Sequence, residues 1–229
     1  MALIVQISSN HAAGCDGVSS LAPQAVLLSG VRGLPALKKL ESGLSSVPWG
    51  IIGGSLTEEG VSGYKEAGCD VLAFGLADTP VSVINSDELA RVLCLDPSAD
   101  ERQLRAINPL PVDAVLIDVA GQKGSWTLED LTNITVISSR VNKYILVGIS
   151  EAPAAKDLEV LRDAGVHGLV LDVGTVSMDS LSKLKTDLQD MPRPQPGRKN
   201  RNAAVLPSSV FSVDRTPAHV EPDEDDDDE

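Results

Sequence analysis

Eight short aliphatic runs recur along this chain at nearly even intervals, and that rhythm limits the fold more than any other feature. They are Leu3–Ser8, Ala25–Gly30, Trp49–Gly54, Val71–Leu76, Arg91–Asp96, Ala114–Val119, Tyr144–Ile149 and Gly168–Val173, with starts 20 to 30 residues apart. The runs are continuous rather than alternating, as expected of parallel strands buried on both faces. Between most of them lie amphipathic stretches with helix punctuation. Leu34–Leu44 and Glu58–Ala67 are two; Ser98 with Glu101 and Thr127 with Asp130 read as capping boxes. Ala154–Ala164 stops at Gly165, and Ser177 opens a last helix over Met178, Leu181, Leu184 and Leu188. Ala67-Gly68 and Ala164-Gly165 each place a helix-ending glycine just before a strand.

A strand–helix repeat of this length needs right-handed crossovers and a parallel sheet. Eight units close into a (β/α)8 barrel, a TIM-like fold; an open doubly wound sheet is the alternative. The weakest unit is the first. Residues 9–24 contain Gly14, Gly17 and Pro23, and Val18–Leu21 reads alternatively as a strand.

The composition changes near Asp190. Residues 191–229 hold six prolines and end in Glu-Pro-Asp-Glu-Asp-Asp-Asp-Asp-Glu, so the domain is expected over 1–190 and a disordered Pro-rich, acidic tail over 191–229. The whole chain carries 19 Lys and Arg against 33 Asp and Glu, net −14, which opposes binding to nucleic acid or anionic lipid. No apolar run approaches a membrane span and no signal peptide is visible. Three widely spaced cysteines fit buried thiols in a reducing cytoplasm and no metal spacing.

In a barrel of this kind the chemistry sits where the strand C-termini meet. Asp96, Asp118 and Asp172 close three runs there. Converging carboxylates can serve as general acid and base, or hold Mg²⁺ through oxygen; each also suits the bland role of satisfying loop or helix amides. Lys123, in Gly121-Gln-Lys-Gly-Ser125, and Arg32, in Gly30-Val-Arg-Gly33, can clamp an anion or remain solvated loop cations. His11 is a further acid–base candidate; His167 and the cysteines read as structural.

The stretch 145–176 contains Gly148-Ile-Ser150, a helix, Ala164-Gly-Val-His-Gly168 and Gly174-Thr175. It resembles the last two units of the phosphate-binding (β/α)8 barrels, the ribulose-phosphate-binding-like superfamily that includes tryptophan- and histidine-biosynthesis enzymes. The resemblance implies a phosphate held by the loops carrying Gly148, Ser150, Gly174 and Thr175. Asp172-Val173 stands where that family has Val-Gly, and Glu151 adds a second anion. The expectation is a lyase or isomerase acting on a small phosphorylated metabolite. Asp96, Asp118 and Lys123 are its catalytic candidates, and Arg32 joins the phosphate set; no cofactor is needed beyond an optional Mg²⁺. The alternative is a non-catalytic scaffold whose acidic tail recruits a basic protein. A homodimer stays open.

Overall fold

The computed structural model describes residues 1–9, 15–31, 37, 44, 47–53, 56–77, 79–85, 88–119 and 126–193. Eight parallel strands form a closed barrel in chain order. They are β1 (Ala2–Ser8), β2 (Ala25–Ser29), β3 (Trp49–Ile52), β4 (Val71–Gly75), β5 (Ala90–Leu95), β6 (Ala114–Asp118), β7 (Tyr144–Ile149) and β8 (Gly168–Asp172). β1 pairs with both β2 and β8, which closes the cylinder and excludes the open sheet. Among the described residues the helices are α1 (Cys15–Leu21), α2 (Glu58–Glu66), α3 (Glu101–Ile107), α4 (Leu128–Arg140), α5 (Ala155–Asp163) and α6 (Met178–Asp190), with a 3₁₀ turn at Val81–Asn85 between β4 and β5. The chain divides into units Met1–Pro192 and Arg193–Glu229; the expected tail and the helix over 34–44 fall almost wholly outside the described residues.

Two expectations need correction. Val18–Leu21 lies in α1 and is not a strand. Its Gly17 packs against α6 so closely that an added Cβ would stand 3.1 Å from Met178 Cε, so this glycine serves close helix approach. The α3 cap is Asp100, whose carboxylate accepts from Gln103 N–H, rather than Ser98. The Thr127–Asp130 capping box forms as expected: Asp130 accepts from the Thr127 N–H and hydroxyl while Thr127 accepts from Asp130 N–H. Reciprocal satisfaction explains how a carboxylate only 7% exposed is tolerated there.

Burial falls into two shells. Ile4, Leu27, Ala73, Val92, Ala114, Leu116, Leu146 and Val170 fill the lumen. The alternate residues of the same strands pack outward under the helices with Leu158, Leu161, Leu181 and Leu184. Because both strand faces are apolar, periodicity alone marks no exposed face.

The N-terminal rim repeats one device four times. Gln24, Asp70, Asp113 and His167 each precede an even-numbered strand. Each donates its backbone N–H to a carbonyl of the preceding odd strand, at Leu3, Trp49, Arg91 and Ile145, over 2.8–3.0 Å. Each side chain then accepts the N–H of that same residue, at 2.7, 3.1, 2.7 and 3.1 Å. Each side-chain bond contributes on the order of 1 kcal/mol.

The His167 clasp accepts through Nδ1 and needs the neutral ring; Tyr144 packs edge-on at 5.2 Å between centroids. Burial holds the His167 pKa below the usual value, the Gly165 carbonyl opposes that, and the Met1 ammonium reinforces it. Such a depressed pKa leaves stability complete above ~6.5 and loses it as pH falls towards the folded-state value, since the unfolded chain takes the proton first. His167→Gln restores an acceptor of the Gln24 kind. Between about pH 7.5 and pH 5, wild type is expected to lose more urea-denaturation stability than this variant. Equal losses in both proteins would remove His167 as the source.

Candidate functional site: the C-terminal mouth

Following the strand register around the cylinder sorts inward positions into layers of four from alternate strands. Ile4, Gly50, Val92 and Leu146 form one; Leu27, Ala73, Leu116 and Val170 form the next. Above them come Gln6, Ile52, Cys94 and Gly148. The mouth layer is Ser29, Gly75, Asp118 and Asp172. The lining therefore changes from aliphatic to polar over the top two levels, beginning at Gln6 and completed where the lumen meets solvent.

That layer has room. A Cβ added to Gly75 would meet nothing within 4 Å. A Cβ added to Gly148, between β6 and β8, would lie 3.3 Å from Asp118 Oδ1, so the bare glycine gives the Asp118 carboxylate its space. Asp118 is exposed and Asp172 half-buried. Cys94 sits one level below. Burial, and then the Asp118 charge, push its thiol up to about 11, so it remains protonated at neutral pH and is no nucleophile.

The remaining candidates separate. Asp96 is fully solvent-exposed, and its Oδ1 accepts from Ser98 N–H at 2.8 Å and Ser98 Oγ–H at 2.6 Å. Those bonds hold its pKa below the usual carboxylate value, so Asp96 stays ionised and fixes its own loop. Asp172 Oδ1 accepts from Gly174 N–H at 2.7 Å. The Thr175 N–H and hydroxyl both donate to the Asp172 carbonyl at 3.0 Å. The three donors expected to meet a phosphate in this turn thus have partners within it. Gly148 is buried in β7 and Ser150 half-buried just beyond it. α5 begins nearby at N-cap Ala154, which makes no side-chain cap, unlike Thr57, Asp100, Thr127 and Ser177. Lys123, Arg32 and His11 lie outside the described residues. Among the described residues no three His, Cys, Asp or Glu side chains stand together as a metal-ligand set, and no helix is long and apolar enough to cross a membrane.

No protein-family model matches the chain, and no curated protein matches it in sequence. Solved structures do match. Two mutant tryptophan synthase α-subunits from Pyrococcus furiosus are each 12% identical and superpose with TM-scores of 0.63 and 0.64. The tryptophan synthase complex from the same organism matches at 12% identity with a TM-score of 0.60. In each case 83% of this chain and 97% of the other are covered. At that identity the likeness concerns the fold. This chain is a closed, eight-stranded parallel β/α barrel with the architecture of the tryptophan synthase α-subunits.

Proposed function

We propose that the chain is a lyase or isomerase working on a small phosphorylated metabolite at the C-terminal mouth. The supporting observation is the mouth layer: Asp118 and Asp172 share one level, flank a side-chain-free Gly148, and adjoin open space over Gly75. In this reading Asp118 transfers the proton and Asp96, tied to Ser98, holds the neighbouring loop. The substrate's phosphate takes the Gly148–Ser150 side and the first turn of α5, where the backbone N–H groups favour an anion. Lys123 and Arg32 would offset the rim's negative charge, Gly174 and Thr175 would join once the substrate opens their turn, and Mg²⁺ would be an optional aid. The cytoplasm is the matching compartment.

The test is a thermal-shift screen of sugar phosphates, with any responding compound then followed for turnover. A ligand at ten times its Kd is expected to add about 1.4 kcal/mol, or roughly 3–6 °C for a domain of this size. Asp118→Asn should then lower turnover by about 10²–10⁴-fold with little change in melting. No response from any phosphorylated compound would sink this reading.

One observation favours a second reading. An anion already occupies the Gly174 amide, as suits a non-catalytic barrel whose acidic tail recruits a basic partner. Under that reading, truncation after Asp190 leaves the barrel folded and abolishes partner binding.

A further inference from the structure

Below the mouth the lumen is closed by Leu27, Ala73, Leu116 and Val170, which are only 0–4% exposed. The layer resting on them is Gln6, Ile52, Cys94 and Gly148, each supplied by a strand. Gln6, Ile52 and Cys94 are half-buried, so solvent reaches this floor. β1 and β5 stand opposite each other in the closed barrel, so Gln6 and Cys94 face across the lumen, and Ile52 faces Gly148 in the same way. Burial keeps the Cys94 thiol protonated and leaves it a weak donor. Gln6 therefore supplies the strongest hydrogen-bonding side chain of the floor layer. Among the described residues its carboxamide has no hydrogen-bond partner. An amide set over an aliphatic layer is costly unless something polar meets it.

We propose that Gln6 is the specificity-determining residue of the mouth, its carboxamide taking an uncharged, hydroxyl-bearing end of the substrate while the phosphate stays at the rim. The inference rests on the phosphorylated-metabolite reading above and deepens it: the substrate is a polyol or hydroxy-carbonyl phosphate, neither carboxylate-ended nor apolar-ended. A carboxamide offers both donors and an acceptor, and a hydroxyl answers both. A carboxylate end uses the donors alone and sets its charge against the Gln6 carbonyl oxygen. An apolar end covers the amide without pairing it, which is how a hydrogen-bonding site rejects the analogue that lacks a hydroxyl. Ser150 lies two residues beyond Gly148, so the drop from the phosphate side to the floor is about 7 Å, roughly the length of a five-carbon chain.

Calorimetry on the full chain compares ribitol 5-phosphate with n-pentyl phosphate, which has the same carbon chain and no hydroxyl on it. The polyol is expected to bind wild type about tenfold more tightly. Gln6→Leu should erase that preference by weakening ribitol 5-phosphate about tenfold, with pentyl phosphate bound at least as well as before and the melting temperature not lowered. Gln6→Met, unbranched and of nearly the same length as the native side chain, repeats the test if the Leu variant misfolds. On the unaltered chain, the Gln6 side-chain amide resonances should move on saturation with ribitol 5-phosphate. Equal affinities for the two phosphates in wild type, or a preference that survives the substitutions, would overturn the role of Gln6 and leave the phosphate reading standing. No binding of either phosphate would overturn both.

Discussion

Gly50→Ala is expected to destabilise the barrel by about 3 kcal/mol, lowering the melting temperature by roughly 6–12 °C. Gly50 belongs to an inward layer with Ile4, Val92 and Leu146, and it pairs with Val71 of β4. A Cβ at this position would collide with the Val71 carbonyl oxygen and lie 2.6 Å from Val71 Cβ. Neither group is the far end of a flexible side chain, so relief requires β3 and β4 to separate. The lumen cannot yield easily, because interior packing is already dense. Gly75→Ala is the control: its added methyl meets nothing within 4 Å, and a change below about 0.5 kcal/mol is expected. Denaturant or thermal melts of the two variants decide the matter, and a Gly50→Ala protein as stable as Gly75→Ala would mean that β3 and β4 are not in close contact.

The second large effect concerns phosphate affinity. Asp172 acts against a phosphate at the β8 turn in two ways, by its charge and by occupying Gly174 N–H at 2.7 Å. A carboxylate ~5 Å from an anion costs about 3 kcal/mol per unit charge at an effective dielectric of ~20, and less in salt. Asp172→Asn removes the charge and keeps an acceptor; Asp172→Ala removes both. Inorganic phosphate, measured by calorimetry at fixed low salt, is expected to bind at least tenfold more tightly to the Asn variant than to wild type, and more tightly again to the Ala variant. Three equal affinities would place any phosphate away from this turn. The Ala variant should also lose on the order of 1 kcal/mol of stability as Gly174 N–H loses its partner.

The strands were legible because each is a continuous aliphatic run, a pattern that few other elements share. Their ends were not. The Trp49–Gly54 run stops as a strand at Ile52, and Gly53 turns away with φ of 73°. Gly17 obscured α1 because its reason for being glycine lies 161 residues further on, at Met178. Ser98 instead donates its N–H and hydroxyl to Asp96 within their own turn, leaving Asp100 to start α3. In the site, Asp118 and Asp172 could be read from their places at strand ends. That they share a layer depends on register across β7, and that Asp172 takes the Gly174 amide depends on local loop geometry, which a residue string does not encode. The rim residues Gln24, Asp70, Asp113 and His167 did leave a trace, one polar residue before every second strand, but it has meaning only once each strand's partner is known.

Those four clasps divide the cylinder into quarters. Each joins an odd strand to the even strand after it, from opposite sides of one intervening connection. Among the described residues the junctions between quarters have backbone pairing but no matching side-chain bond; at the first, Pro48 supplies a carbonyl, to Val26 N–H. The natural modules for recombination are therefore two-strand pieces cut just before β3, β5 and β7. A chimera or circular permutant opened at those seams keeps every clasp, and one opened a single strand away severs one.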